Sequence, residues 1–327
     1  MRNMTGFLFR AFWLAPLALL SSAPVLAQTD AAQAPERYAF TQDYAPDPAV
    51  WVIADEDTTI YMLGTIHALP RGFRWRSPLI NEVIERSDVL VVETSDYAQT
   101  ANPIDANTKL LGRIERRQPT SRRLSPAAAA HWRDLVGRSY APFESIDSMP
   151  VMLALLSLGT LGDGSGTSTP AFGVETILER EFRARQRPIE VIEDAGAVTY
   201  SLLRLENDAI IEDLEERLIA WDGKSFGHFY DPDFVDRRGD AYWEAEHAWA
   251  RGEVSDDFSL GLGDGEIGRA LDELLLNRRN TAWAIWLEDR LERPGTMLLA
   301  VGAGHFEGDV SVLAKLEERG IPYRRIN

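Results

Sequence analysis

The sequence predicts an α/β protein with a central mixed, mainly parallel sheet built from both ends of the chain and a helical cap contributed by the middle. Three observations carry that expectation. Residues 60–67 (IYMLGTIH) are an apolar, strand-like run ending in Gly-x-x-His, and residues 297–305 (MLLAVGAGH) repeat the design near the other end. Between residues 59 and 93 the order strand, helix, strand reads as a βαβ unit, which implies a parallel crossover. The middle of the chain instead places apolar residues at helical spacing. Sheets of this class gather their chemistry at the carboxyl ends of strands.

Arg2 and Arg10 give a basic start, residues 11–20 an apolar core, and residues 21–27 a polar end closing on Val-Leu-Ala. That is the pattern of a secretory signal cleaved after Ala27, so a periplasmic or secreted location is expected. The apolar run is too short for a membrane span, and no integral membrane contact is expected after cleavage. Residues 28–48 read as a flexible N-terminal segment, and residues 49–327 as a single domain with its helical cap at about 110–290. The chain has no Cys, which excludes disulfides, thiol catalysis and thiolate metal sites. With 34 basic and 51 acidic residues its net charge is -17, which speaks against nucleic acid as a partner. The partner expected is a peptide or small-molecule substrate.

In chain order, residues 50–53 form a first strand, 55–58 a turn, and 59–63 a strand pairing back on the first. Ser77 and Pro78 open a helix as cap and first-turn residue, and Leu79, Ile80, Val83 and Ile84 supply its apolar stripe. Residues 89–92 make a buried strand ending in Glu93. Residues 95–125 are polar with basic clusters and read as a substrate-facing insertion. A helix follows over 126–136, then an apolar core helix over 148–158, then a Gly/Ser/Thr loop or lid over 159–170. Gly173-Val174-Glu175 precedes a helix over 176–184, and a short strand over 189–192 ends in Glu193. One helix is expected over 197–220 and others over 238–251 and 266–276. Arg278, Arg279 and Asn280 read as a break, with Asn280 capping the next helix. The strand at 297–301 leads to His305, a helix from about 309 with Gly320 behind its end, and a last strand near 322–326.

Four apolar runs thus end in His67, Glu93, Glu193 and His305. Two imidazoles and a carboxylate suffice to bind Zn, Mn, Fe or Co with a position left for water, and a second carboxylate can take the proton from that water. The same groups also permit a metal-free reading, with a histidine as general base beside a carboxylate. HExxH, GxSxG, phosphate-binding glycine and EF-hand patterns are absent. His131, His228 and His247 lie in aromatic or charged helical contexts and read as packing or surface residues. Thr65 is placed to orient substrate beside His67.

The blocks YMLGTIH (61–67), VLVVE (89–93), GVETIL (173–178), VIE (191–193), RRNTAW (278–283) and LAVGAGHFEG (299–308) resemble, in order, the TraB/GumN family. That family also includes plasmid pheromone-shutdown proteins and the animal Wnt-cleaving TIKI proteins. The resemblance implies a peptidase-like, metal-dependent hydrolase, similar in fold to erythromycin esterase-like hydrolases, with a divalent transition metal on His67, Glu93 and His305. It also implies site roles for Arg279, which binds a substrate carboxylate or holds Glu93, and for Asn280 as a donor to an oxyanion. Glu193 or Glu175 would handle the proton. Where the family commonly has Gly-x-Asp, this chain has Gly173-Val174-Glu175, one methylene longer. The reading that results is an exported metal-dependent hydrolase acting on a peptide or amide bond. Its alternatives are a non-catalytic envelope protein that sequesters a peptide or small hydrophobic ligand, and a metal-free His/Glu esterase-like hydrolase.

Overall fold

The computed structural model describes residues 38–95, 97, 117–139, 141–161 and 168–327. Its strands are β1 (Val50–Ala54), β2 (Thr58–Thr65), β3 (Leu69–Pro70), β4 (Val89–Val92), β5 (Ser168–Thr169), β6 (Ile189–Val191), β7 (Gly295–Gly302) and β8 (Arg324–Arg325). Six of them form one sheet in the order β6-β4-β7-β2-β1-β8, while β3 and β5 pair separately. Strands β6, β4, β7 and β2 run parallel, and β1 is antiparallel to both β2 and β8. The expected mixed, mainly parallel sheet drawn from both chain ends is therefore present. The strands before the two Gly-x-x-His motifs are immediate neighbours, in register from Thr58 opposite Gly295 to Thr65 opposite Gly302.

Alternation along β7 explains its unbroken apolar run. Leu298 and Ala300 enter a core shared with the helices of the cap, whereas Met297, Leu299 and Val301 enter a second core under Arg278–Leu291 and Val312–Glu318. A parallel strand covered on both faces has no solvent side on which to place polar residues. Helix Pro78–Arg86 starts as its sequence indicates: the Ser77 hydroxyl accepts from Ile80 N at 3.2 Å, Pro78 occupies the first turn, and Ile80, Val83 and Ile84 are buried. In the cap, Pro126–Gly137 buries Trp132, whose indole N–H donates to Asp147 at 2.9 Å.

Several expected boundaries differ. The segment 197–220 is two helices, Ala195–Arg204 and Asp208–Ala220, because the Asn207 side chain accepts from Ile210 N and starts a new helix. The apolar run at 148–158 begins as a helix only at Val151, after Pro150, which follows a separate short helix, Phe143–Ser148. The expected helix over 238–251 is a 3₁₀ turn, Gly239–Trp243, followed by Glu244–Ala250. No break occurs at 278–280: Glu266–Asp272 passes through a π turn, Glu273–Asn277, straight into Arg278–Leu291. Asn280 is consequently a buried residue inside a helix and not its cap.

Residues 38–48 contain no helix or strand yet are docked, with Trp243 donating to Tyr38 O at 2.8 Å and Asp47 N to Ala250 O at 2.7 Å. The segment read as a signal at 1–27, most of the insertion at 95–125 and residues 162–167 of the loop at 159–170 lie outside the described residues. No described helix is long and apolar enough to cross a membrane.

A Cβ at Gly173 would overlap the carbonyl of His67, whereas at Gly137 nothing lies within 4 Å. Gly173→Ala is therefore expected to cost about 1–3 kcal/mol through overpacking, and Gly137→Ala to be neutral or stabilising by up to about 1 kcal/mol. Thermal melts of the two variants side by side check this; equal midpoints would contradict the close approach.

Candidate functional site

The parallel strands end at one edge of the sheet and deliver His67, Glu93, Glu193 and His305 to it. Close backbone contact makes this possible. A Cβ at Gly64 would stand 3.0 Å from Ala303 Cα, so the two Gly-x-x-His motifs touch through their main chains. Trp249 of the cap closes over them, its indole N–H donating to Gly64 O at 2.9 Å. On the other side Val174 N donates to Ile66 O at 3.0 Å, which seats the first turn of Val174–Ala184 on the His67 loop. That contact brings Glu175 to the ring of His67.

Glu93 is the centre of the arrangement. Its Oε1 lies 3.8 Å from His67 Nε2 and 3.8 Å from His305 Nε2, and accepts from Gly302 N at 2.7 Å. Its Oε2 accepts from Arg279 Nη2. Arg279 also donates through Nε and Nη2 to the two oxygens of Glu193, both at 2.7 Å, and through Nη1 to Leu275 O at 3.1 Å. The far nitrogen of each imidazole is held by an oxygen: Glu175 Oε1 at 2.6 Å from His67 Nδ1, and Asn280 Oδ1 at 2.5 Å from His305 Nδ1. Because Asn280 Nδ2 donates to Val310 O at 2.7 Å, its amide orientation is fixed and Oδ1 is the atom that faces His305. Both rings therefore carry a proton on Nδ1 and turn Nε2 toward Glu93.

Burial and charge act against each other here. Desolvation opposes charge on His67, but Glu175 and Glu93 outweigh it and hold its pKa up at about 9. Desolvation likewise penalises the Glu93 carboxylate, and Arg279, His305 and His67 overcome it, bringing its pKa down to about 2. Glu193 is shifted upward by burial, with Arg279 opposing. His305, fully buried and facing Arg279, is pushed well below the usual histidine range by desolvation first and the guanidinium second.

The structure thus brings His67, Glu93, Glu175, Glu193, Arg279, Asn280 and His305 into one connected cluster. Thr65, read as a substrate-orienting residue, donates instead to Glu175. Asn280 bridges His305 and Val310, and Arg279 bridges Glu93 and Glu193. His131 packs against Trp221, His228 sits on Ser225 and His247 on Tyr44, all apart from this cluster. Sequence reasoning missed Trp283, whose ring lies 4.2 Å from that of His305 and 4.8 Å below the Arg279 guanidinium. Its spacing of four from Arg279 on one helix is the signal that was available.

Among the described residues no group of three or more His, Asp or Glu side chains is arranged to hold a metal ion as it stands. The 3.8 Å separations exceed by roughly 0.5 Å the spacing of ligands around a tetrahedral ion with bonds near 2.0–2.1 Å. The donor chemistry nevertheless fits a divalent transition ion. Two imidazoles present Nε2 with Nδ1 held by an oxygen, the usual outer support of metal-bound histidine. Three carboxylates face one guanidinium, so the cluster is formally two positive charges short when both imidazoles are neutral.

No curated protein and no solved structure matches the chain. A family model, the TraB/PrgY/gumN family, matches residues 49–325, and the chain belongs to that family.

Two outcomes follow from the geometry. In metal-free protein the His67 ring is expected to titrate near 9 by NMR, and Glu175→Gln to lower that value. Its pKa is raised above the ordinary 6.5, so the stabilisation from its protonation is complete below pH 6.5 and is lost as the pH rises through about 9; melts across that window should decline. Arg279→Met leaves Glu93 and Glu193 buried without their cation and is expected to cost about 3–5 kcal/mol in urea unfolding.

Proposed function

We propose that this member of the TraB/PrgY/gumN family is a hydrolase that activates water against a peptide or amide bond, with a divalent transition metal held by His67 Nε2, His305 Nε2 and Glu93. The observation that carries the reading is the convergence of two imidazole Nε2 atoms, from opposite ends of the chain, on one oxygen of Glu93 at 3.8 Å each. Such an ion, when bound, polarises a scissile carbonyl and lowers the pKa of its water. The peptide or amide class rests on the likeness to the animal members of the family, and export on the sequence of residues 1–27.

The chain's own groups have separable tasks in this reading. Glu175 and Asn280 fix the tautomer and plane of His67 and His305. Arg279 and Gly302 N–H hold Glu93 ionised and aimed. Glu193 commits both oxygens to Arg279, so it balances the guanidinium and leaves proton transfer to another group. Glu175 Oε2 has no hydrogen-bond partner among the described residues, and it is the carboxylate oxygen of the cluster with room for a proton. The His67 and Glu175 pair also supports a metal-free esterase, but an imidazolium that persists to about pH 9 is a poor general base at neutrality.

Metal analysis of the purified chain after metal-replete expression is expected to give close to one transition ion per chain. His67→Ala with His305→Ala should abolish that content while leaving the circular dichroism spectrum unchanged. Chelator should stop amide hydrolysis by a factor of about 10² or more, and added ion should restore it. A chain that binds no metal under these conditions is not this enzyme, and turnover that persists in chelator would favour the metal-free alternative.

A further inference from the structure

β6 is the outer strand of the sheet, and it runs directly into Glu193. Its bonds to β4 use alternate residues: Leu90 N donates to Pro188 O at 3.1 Å and Ile192 N to Val92 O at 2.9 Å, with Leu90 opposite Ile189 and Val92 opposite Val191. In a parallel ladder this directs the backbone groups of Glu190 toward β4 and turns the N–H and C=O of Ile189 and Val191 outward. Among the described residues no strand pairs with that outer edge. Beside it lies an open groove of about 790 Å³, lined by Tyr97, Arg183, Arg187 and residues 188–191.

The groove has a chemical character. Ile189 and Val191 are half-buried against the core, which fixes the strand's orientation, while the Glu190 side chain is exposed. Arg187 is committed to Ile84 O and Ser87 O at 2.6 and 2.9 Å, with Glu85 at 3.9 Å. Arg183 is exposed, lies 3.7 Å over the Tyr97 ring and has no carboxylate of the described residues at ion-pair distance. In a protein of net charge -17, Arg183, Arg185 and Arg187 make residues 183–187 a locally basic stretch.

We propose that this edge is the substrate groove: an extended peptide joins β6 as an added strand through Ile189 and Val191, places an acidic side chain beside Arg183, and is led to the carboxyl end of the sheet. The proposal rests on the hydrolase reading above and narrows it to extended, acidic peptide segments. Two residue steps take the chain from Val191 to Glu193, a rise of about 7 Å. The bond presented to the cluster is therefore only a few residues from the paired stretch. Main-chain pairing supplies affinity for any extended peptide, and Arg183 supplies selection.

The probes are blocked hexapeptides of alternating Thr and Val with Glu, Gln or Lys at one central position, each also made with the pairing amides N-methylated. Amide shifts of Ile189 and Val191 in isotopically labelled full chain report binding, and cleavage is assayed separately on the same peptides. The expected result is shifts at both amides, about tenfold tighter binding of the Glu peptide than of the Lys peptide, and a further loss of about tenfold or more on N-methylation. Arg183→Glu, at an exposed position, should invert the charge preference. No binding, or binding indifferent to N-methylation and to residue 183, overturns the groove. Binding with these signatures but without cleavage supports the groove and counts against the hydrolase, whereas cleavage without them does the reverse.

Discussion

The structure depends on keeping one buried carboxylate charged. Glu93 ends a central strand and is 8% exposed, and an isolated buried carboxylate costs several kcal/mol. Arg279 makes the position tenable, and it is itself anchored by Glu193 and by Leu275 O. Leu275 lies in the π turn Glu273–Asn277, one turn before Arg279, and its carbonyl accepts from the guanidinium at 3.1 Å. A helix entering in this way sets Arg279, Asn280 and Trp283 on the face that meets the strand ends.

The two Gly-x-x-His motifs are joined through main chain and not through side chains. Gly64 meets Ala303 so closely that a Cβ there would press its neighbours back by a few tenths of an ångström, and a Cβ at Gly173 would overlap the His67 carbonyl outright. Three segments far apart in sequence therefore close on each other within one tight contact region. Such contacts form only when most of the sheet is in place, since β2 and β7 must align across more than two hundred residues of chain. The cluster rests on contacts of long sequence separation, and its geometry inherits the stiffness of a strand pair buried on both faces.

Much of the fold was legible because it is written in short-range patterns. Ser77-Pro78 announces a helix start, the apolar run of residues 297–301 announces a strand buried on both faces, and glycines announce tight loops before both histidines. The same short-range reasoning failed where the deciding partner is distant. Arg278-Arg279-Asn280 looks like a polar helix break, yet Glu93, Glu193 and His305 satisfy two of these residues inside the core. Asn207 looked like one more polar residue on a continuous helix, and only its bond to Ile210 N reveals a new start. Among the site residues, the strand-end positions were legible from the sheet pattern, and the pairing of Glu175 with His67 was not. It depends on a helix from the cap docking by a single backbone bond onto the His67 loop.

The two imidazoles face the same oxygen, yet they are not equivalent. Against desolvation, His67 has a carboxylate behind it that holds its proton to about pH 9, whereas His305 is depressed well below the usual range by burial first and by Arg279 second. At neutral pH the pair therefore carries one positive charge, located on His67. Three carboxylates against Arg279 leave the cluster short of two charges, and the proton on His67 supplies one of them. A cation entering beside Glu93 Oε1 has to displace that single proton, while His305 is already in the neutral form that a ligand requires. The carboxylate of Glu175 behind His67, with no counterpart behind the more deeply desolvated His305, thus sets which histidine answers to pH and which stands ready.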